Sequence, residues 1–274
     1  MKKTTVKLFA LPILIFLISA CEDVIQIDLN SSNPATVIEA KIYDMPDSNG
    51  FYNRIDISKS TNYFQPGNYP KIDDARVSVT DNDGNRYDFN GLGNGVYNCP
   101  TLKSELGLSY RIDVSIGNKS FSATSSVNDK IKIDSLYIES RTMPGKKVYF
   151  VHVLFKDNPD KVNYARIFLF INGVKQPNYR AYSDRLTNGN DVELQLFAGE
   201  NVTWGDLIKV EIDSIDKAVF EYFKTLVNVQ ANRSNSNGQV APANPLTNWN
   251  NNALGYFSVQ AVDVDSLTVG FSTK

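Results

Sequence analysis

The sequence predicts a mainly β protein: an immunoglobulin-like β-sandwich over residues 35–128, followed by a second β-rich domain over residues 129–274 with one α-helix near 215–231. Three observations lead there. Runs with a period of two recur through both halves and break on Gly, Asn, Asp and Pro. Rings are abundant, 15 Phe and 14 Tyr among 274 residues, and they favour pleated, half-buried surfaces. Only one stretch, after Asp213, spaces its apolar residues as a helix does.

The first twenty residues stand apart. Lys2, Lys3 and Lys7 precede an apolar run from Leu8 to Ile18 that ends on Ser19-Ala20-Cys21. A charged start, a short apolar stretch and small residues before a cysteine describe a lipoprotein signal peptide over residues 1–20, and the run is too short to span a bilayer. Cys21 is expected to become the lipidated, palmitate-bearing N-terminus of a polar tether, residues 21–34. The alternative is an ordinary signal peptide that leaves Cys21 a free thiol. No later stretch of about 18 apolar residues exists, so the lipid is the only membrane anchor expected. Loss of the three leader lysines leaves 25 basic against 30 acidic residues, a balance that argues against nucleic acid as a partner. Cys99 is the only other cysteine, so no intramolecular disulfide forms once Cys21 carries lipid.

Thr36 to Ile42 and Arg54 to Ser58 read as half-buried strands. Ala75, Val77 and Val79 alternate with polar residues until Asp81-Asn82-Asp83-Gly84-Asn85 supplies turn chemistry, and Arg86-Tyr87-Asp88-Phe89 returns as the second arm of a hairpin. Tyr110, Ile112, Val114 and Ile116 share a face, Gly117-Asn118 turns, and Phe121 begins the way back. Leu106-Gly107-Leu108-Ser109-Tyr110 resembles the tyrosine corner of immunoglobulin-type sandwiches. Beyond Asn128-Asp129, strands are expected at 134–138, 148–155, 164–171, 192–197 and 207–212, the second of them covered on both faces. Asp213 or Ser214 is placed to cap the helix, whose Ile215, Val219, Tyr222, Phe223, Leu226 and Val229 form an apolar stripe. Residues 233–252 hold no apolar period and read as a long surface loop. Leu254–Ala261 and Ser266–Phe271 close the chain as an antiparallel pair.

No reaction is named by these residues, and no catalytic residue, metal or cofactor is expected. His152 lies mid-strand, where a satisfied histidine is the ordinary reading, and one His with one free Cys cannot make a structural zinc set. Cys99 has no neighbouring His, and no Gly-x-Ser-x-Gly elbow or phosphate-cradling glycine loop occurs. The Asp81–Asn85 run lacks the distal Glu of a calcium loop, which favours a tight turn. Asp73 with Asp74, and Asp157 with Asp160, are carboxylate pairs among turn residues, more simply solvated loops than acid/base machinery. Tyr63 and Phe64, in a Pro/Gly-bearing loop with Tyr52 and Tyr69, together with Trp249 and Tyr256, are the expected ligand or partner contacts. Packing of those rings against the sandwich is the alternative.

Several segments together resemble one family, the domain of unknown function 4249 lipoproteins of Bacteroidota, over nearly the whole chain. They are Ser19-Ala20-Cys21-Glu22-Asp23-Val24-Ile25 leading to Ile27-Asp28-Leu29, Val37-Ile38-Glu39-Ala40, and Ile57-Ser58-Lys59-Ser60-Thr61-Asn62-Tyr63-Phe64. Ala75-Arg76-Val77-Ser78-Val79 with Gly84, Phe220-Glu221-Tyr222-Phe223-Lys224-Thr225-Leu226, and Asn244-Pro245-Leu246 with Ala253-Leu254-Gly255-Tyr256-Phe257-Ser258 complete the set. One departure is Trp249-Asn250-Asn251-Asn252, where relatives tend to carry glycines. Glu22-Asp23 resembles the export signal that sends such lipoproteins to the cell surface. Asp134-Ser135-Leu136, Asp213-Ser214-Ile215 and Asp265-Ser266-Leu267 resemble the O-glycosylation acceptor of these bacteria, leaving Ser135 and Ser266 as the candidate sites if Ser214 caps the helix.

The resemblance implies a non-catalytic outer-membrane lipoprotein, with a cell-surface orientation read from the export pair and the periplasmic face as the alternative. It implies an accessory role beside a TonB-dependent nutrient receptor, in substrate capture or complex assembly. An envelope hydrolase with an unrecognised carboxylate site and a purely structural surface-assembly protein are the alternatives. Whether the ligand is a small molecule, a glycan or a peptide stays open.

Overall fold

Alternation along the chain sorts side chains onto two faces, and in the computed structural model those faces meet as stacked sheets. The structure describes residues 34–270 except 48–49, 62–66, 68, 128, 186–188 and 235–243. Cys21, Glu22, Asp23, Tyr63 and Phe64 therefore lie outside the described residues. In the first half the strands are β1 Thr36–Tyr43, β2 Asn53–Lys59, β3 Arg76–Asp81, β4 Arg86–Asp88, β5 Asn90–Gly93, β6 Val96–Asn98, β7 Ser109–Ile116 and β8 Lys119–Ser126. The second half contributes β9 Ser135–Met143, β10 Lys146–Lys156, β11 Tyr164–Ile171, β12 Val174–Ser183, β13 Asp191–Gly199, β14 Leu207–Ile215, helix α1 Lys217–Ser234 and β15 Leu254–Thr268. The protein is thus mainly β with one described helix.

Three sheets result among the described residues. An eight-stranded sheet runs β12-β11-β14-β15-β1-β2-β6-β5, and two smaller sheets run β4-β3-β7-β8 and β13-β10-β9. The first core gathers Ile38, Ala40 and Ile42 of β1 with Ile55, Ile57, Val79, Ile112, Val114 and Phe121. A second core gathers Val151, Val153, Ile167, Leu169, Ile208, Val210 and Ile212. The expected break near 128–129 falls between these cores, but the chain does not divide there, and everything from Pro34 onward is one unit. The reason is β15. Its residues Leu254–Gln260 pair in parallel with β1, whereas Ala261–Thr268 pair antiparallel with β14. Phe257, Val259 and Ala261 enter the first core, so that core is finished by the last strand of the chain.

This corrects the expected ending. A turn between Ala261 and Ser266 would need two shorter strands, but Val262 to Asp265 continue extended because β14 offers an unbroken ladder. The helix start is corrected too. Asp213 and Ser214 belong to β14, and the cap is Asp216, whose Oδ1 accepts from Val219 N at 2.9 Å. Asp216 also accepts from the Ser125 hydroxyl, which itself accepts from Val259 N, so one carboxylate links the helix to β8 and β15. The Tyr110 hydroxyl accepts from Glu105 N at 3.1 Å and pins the start of β7, and the Asp81 carboxylate closes the β3–β4 turn through Asp83 N and Asn85 N.

Residues 244–252 form a seam rather than an open loop. Asn250 exchanges backbone and side-chain bonds with Ser122 of β8, and the Asn248 amide brackets Phe257 through both its atoms. Asn251 and Asn252 take left-handed backbone conformations, φ 51° and 58°, that asparagine tolerates better than most residues. They turn the chain into Gly255, also left-handed at φ 93°, where any Cβ would collide with the Ile38 carbonyl.

Gly255→Ala is accordingly expected to lower unfolding free energy by at least about 3 kcal/mol in urea titration, adding backbone strain to a backbone clash. Gly270→Ala, with ordinary φ and open space around it, should stay within about 0.5 kcal/mol.

Candidate functional site

Register decides what lies on the other side of the large sheet. In β15 the even positions Tyr256, Ser258, Gln260 and Val262 point away from the cores. Their neighbours on that face are Glu39, Lys41 and Tyr43 of β1, Lys209, Glu211 and Asp213 of β14, Arg166, Phe168 and Phe170 of β11, and Lys175 and Tyr179 of β12. A sheet face this rich in charge and rings, yet partly buried, is unusual. Helix α1 covers one end of it through Val219, Phe220, Tyr222 and Phe223, which pack with Tyr256 and Tyr179.

At the centre Arg166 Nη2 donates to Asp213 Oδ2 at 2.6 Å, with both residues buried. The guanidinium lies over two rings, with its Cζ 4.4 Å from the Phe168 centroid and 4.3 Å from that of Phe223. Lys175 Nζ sits 3.2 Å from the Phe168 centroid and Lys209 Nζ 3.8 Å from that of Phe170, so cations and rings alternate across three strands. Each desolvated contact of this kind is worth up to about 2 kcal/mol. The Tyr256 phenol lies beside Lys41 and Arg166 and holds the Lys41 ammonium above the ordinary lysine range. Lys175 shifts the opposite way: burial of its ammonium, then the Arg166 charge, push it down to about 8.

Two acceptors on this face have no hydrogen-bond partner, Asp213 Oδ1 and Gln260 Oε1, although Asp213 is 1% and Gln260 0% exposed. Gln260 donates to Ser258 Oγ at 2.9 Å, which leaves its carbonyl oxygen unanswered. Buried acceptors normally find a donor, because leaving one bare costs about 1–3 kcal/mol.

The residues singled out in the sequence fare differently. Tyr256 is on this face, 3% exposed, with its ring against Tyr222 and Phe223 and its phenol toward the cations. Trp249 is not a contact residue: it is 5% exposed, packs in the first core beside Phe257, and donates from Nε1 to Ile38 O at 3.0 Å. A Trp amid asparagines looks solvent-facing in sequence, but those asparagines cap strand edges and the indole fills the space behind them. Ser135 and Ser266 are exposed on β9 and β15, whereas Ser214 is buried and accepts from Ile131 N. Cys99 is buried, with Sγ 3.3 Å from Thr101 Oγ1.

His152 is a satisfied strand histidine. Its ring is buried, stacks on Tyr137 at 4.2 Å, and meets Glu139 at 2.9 Å and Glu193 at 2.5 Å through its two nitrogens. Asp157 does not pair with Asp160 in a solvated loop. It is buried, accepts from Asn163 Nδ2 and Gly189 N, and faces Asp184, which burial and the Asp157 carboxylate push up to about 6. Asp184 lies 27 residues away in sequence, so spacing could not reveal the pair. Arg166, Lys175 and Gln260 were missed for a similar reason, as each belongs to a strand whose other face supplied the pattern. Among the described residues no group of three or more His, Cys, Asp or Glu could hold a metal ion, and no helix is long and apolar enough to cross a membrane.

The family described as Domain of unknown function (DUF4249) matches residues 22–266. No curated protein matches the chain.

Two pH dependences follow, of opposite sign. Unfolded Lys175 holds its proton to near 10.5 and the folded residue only to about 8, so the unfolded chain binds the extra proton between those values. That contribution to stability rises with pH over the interval, and Lys175→Met should remove the rise and stabilise the protein at pH 7 in thermal unfolding. Asp184 is the reverse: the folded form keeps its proton up to about 6, against 3.8 unfolded, so stability falls as pH rises between them. Asp184→Asn should abolish that fall and raise the melting temperature at pH 7.5, with Asn163 N still bonded through the amide oxygen.

Proposed function

The chain belongs to that family, and we propose that it is a non-catalytic accessory of an outer-membrane nutrient receptor of the TonB-dependent kind, anchored by lipid at Cys21 and facing the cell surface. The observation that carries this reading is the charged, ring-lined face of the large sheet with its two unanswered acceptors. Strands hold that face, which suits recognition of something that arrives. The leader, Cys21 and the Glu22-Asp23 pair support the anchoring and export.

The body suits such a role. We read the β1-β2-β6-β5 half-sheet facing β4-β3-β7-β8 as an immunoglobulin-like sandwich, because the order corresponds to strands A-B-E-D over C′-C-F-G. Tyr110 bonding to the backbone five residues upstream is the matching tyrosine corner. These sandwiches serve many functions, so the fold supports a presenting scaffold and no particular ligand. The Asp157–Asp184 pair is what favours a hydrolase instead. Its burial argues against substrate access, and its bonds to Asn163 and Gly189 give it a structural task.

Mild detergent extraction of membranes followed by affinity isolation of the tagged protein should recover a TonB-dependent receptor in stoichiometric amount. Cys21→Ser should move the protein out of the membrane fraction and abolish that recovery. Isolation of the wild-type protein without any receptor would overturn the accessory role, and turnover of envelope polysaccharide would install the hydrolase in its place.

A further inference from the structure

We propose that the cleft between the edge strands β12 and β13 takes an extended segment of a partner protein, which adds to β12 as a further strand and sets an acidic side chain against Arg180. Such a site goes beyond the accessory role and makes no use of the charged outer face, so either can fail without the other.

Two open edges come first. β12 ends the eight-stranded sheet and β13 ends the three-stranded one, and among the described residues each has a ladder on one side only, with β11 and with β10. Between them, where the second core reaches the surface, lies a cavity of about 580 Å³ lined by the consecutive runs Arg180–Ser183 and Asn190–Leu194. That is within the roughly 300–1,000 Å³ of ligand sites. Consecutive residues in a wall mean that backbone, with its donors and acceptors, faces the space. Open edges are normally blunted by Pro, charge or a bulge. β12 is blunted over part of its length only: Pro177 lacks an N–H, and the register with β11 shifts between Phe168 and Phe170 beside it. From Tyr179 to Ser183 the pairing with β11 is unbroken, and this regular part is the one that lines the cavity.

The side chains then define the segment. Tyr182, Val192 and Leu194 face the second core, and Tyr182 meets Phe155 edge to face at 5.3 Å, which closes the floor with apolar surface. Arg180 lies two residues from Tyr182 and opposite Ile167, so it shares that face, yet it is exposed and makes no ion pair among the described residues. The carboxylates of the other wall do not answer it. Asp191 and Glu193 fall on the far face of β13, where Asp191 stands opposite Lys156 in the ladder and the Glu193 carboxylate accepts from the Tyr137 hydroxyl and meets His152. A strand added to β12 turns every second side chain toward this floor. Its inward positions are therefore apolar over Tyr182 and acidic over Arg180, two residues apart. Main-chain bonds to the edge supply affinity, and these two positions supply specificity. A compact anion or a sugar would meet one guanidinium and leave both backbone walls unused.

The test is titration calorimetry on the full-length protein in mild detergent with the peptide acetyl-Thr-Val-Thr-Glu-Thr-Val-Thr-amide, whose symmetry about its Glu presents an acidic and an apolar residue in either chain direction. It should bind at least about tenfold more tightly than the same peptide with Lys in place of Glu, and than the same peptide N-methylated throughout, which cannot form the ladder. Arg180→Glu should invert the preference, so that the Lys peptide binds about tenfold better than the Glu peptide. Because Arg180 is exposed, this variant should keep the wild-type melting temperature, and Lys119→Glu, on β8 of a different sheet, should leave the preference as it was. Binding of neither peptide, binding unchanged by N-methylation, or a preference that survives Arg180→Glu would overturn the proposal. So would a wild-type protein that sediments as a dimer and becomes monomeric on Arg180→Glu, since a second copy would then fill the cleft. Receptor recovery from membranes is read separately, so failure here leaves the accessory role standing.

Discussion

A single strand that serves two sheets is the constraint on which this protein is built. β15 gives its first seven residues to β1 and its next eight to β14, and neither core is complete without it. Changing partner mid-strand leaves backbone groups that no ladder satisfies, and specific side chains answer them. Val262 N donates to Asp44 Oδ1, Gln260 O accepts from Ser104 Oγ, and Val259 N donates to Ser125 Oγ. Bare, each would cost as much as the net value of one or two hydrogen bonds. The Asn248–Asn252 seam does the same for the edge where β8 approaches β15.

The polar outer face follows from that geometry. One side of the central strands β1, β11, β14 and β15 must be apolar to fill the cores, so charge and many of the rings lie on the other. Arg166 survives burial there because Asp213 bonds it and two rings clasp it. Removing Asp213 alone would strand a buried guanidinium, a far greater cost than the pair's net stabilising effect. Lys175 and Lys41 have no such carboxylate. The Tyr256 phenol beside Lys41 favours its ammonium, whereas burial and the Arg166 charge lower Lys175 to about 8.

Strand existence was legible wherever alternation was clean: Arg54–Ser58, the hairpin around Asp81–Asn85 and the Tyr110–Phe121 hairpin all stand where periodicity put them. So was the helix, whose stripe held although its cap moved from Asp213 or Ser214 to Asp216. What failed was anything set by distant partners. Val262–Asp265 reads as turn chemistry locally and is a strand because β14 is there. Trp249 reads as exposed among asparagines and is buried because Phe257 and Ile38 are behind it. Of the charged face, Tyr256 alone was singled out as a contact in the sequence, since the assembly of Lys41, Arg166, Asp213, Lys175 and Gln260 depends on strand order that no local pattern encodes.

The pairing of Val37 with Leu254 also bears on how the molecule comes to exist. A parallel partner more than two hundred residues downstream cannot be recruited until the chain has been made as far as β15. Until then β1 presents one unsatisfied edge, and the first core lacks the Phe257 side that closes it. High sequence separation slows such closure and lengthens the time during which open edges can join neighbouring chains. Completion of the first core therefore waits on β15, and the open edge of β1 stays exposed to mispairing until that strand is in place.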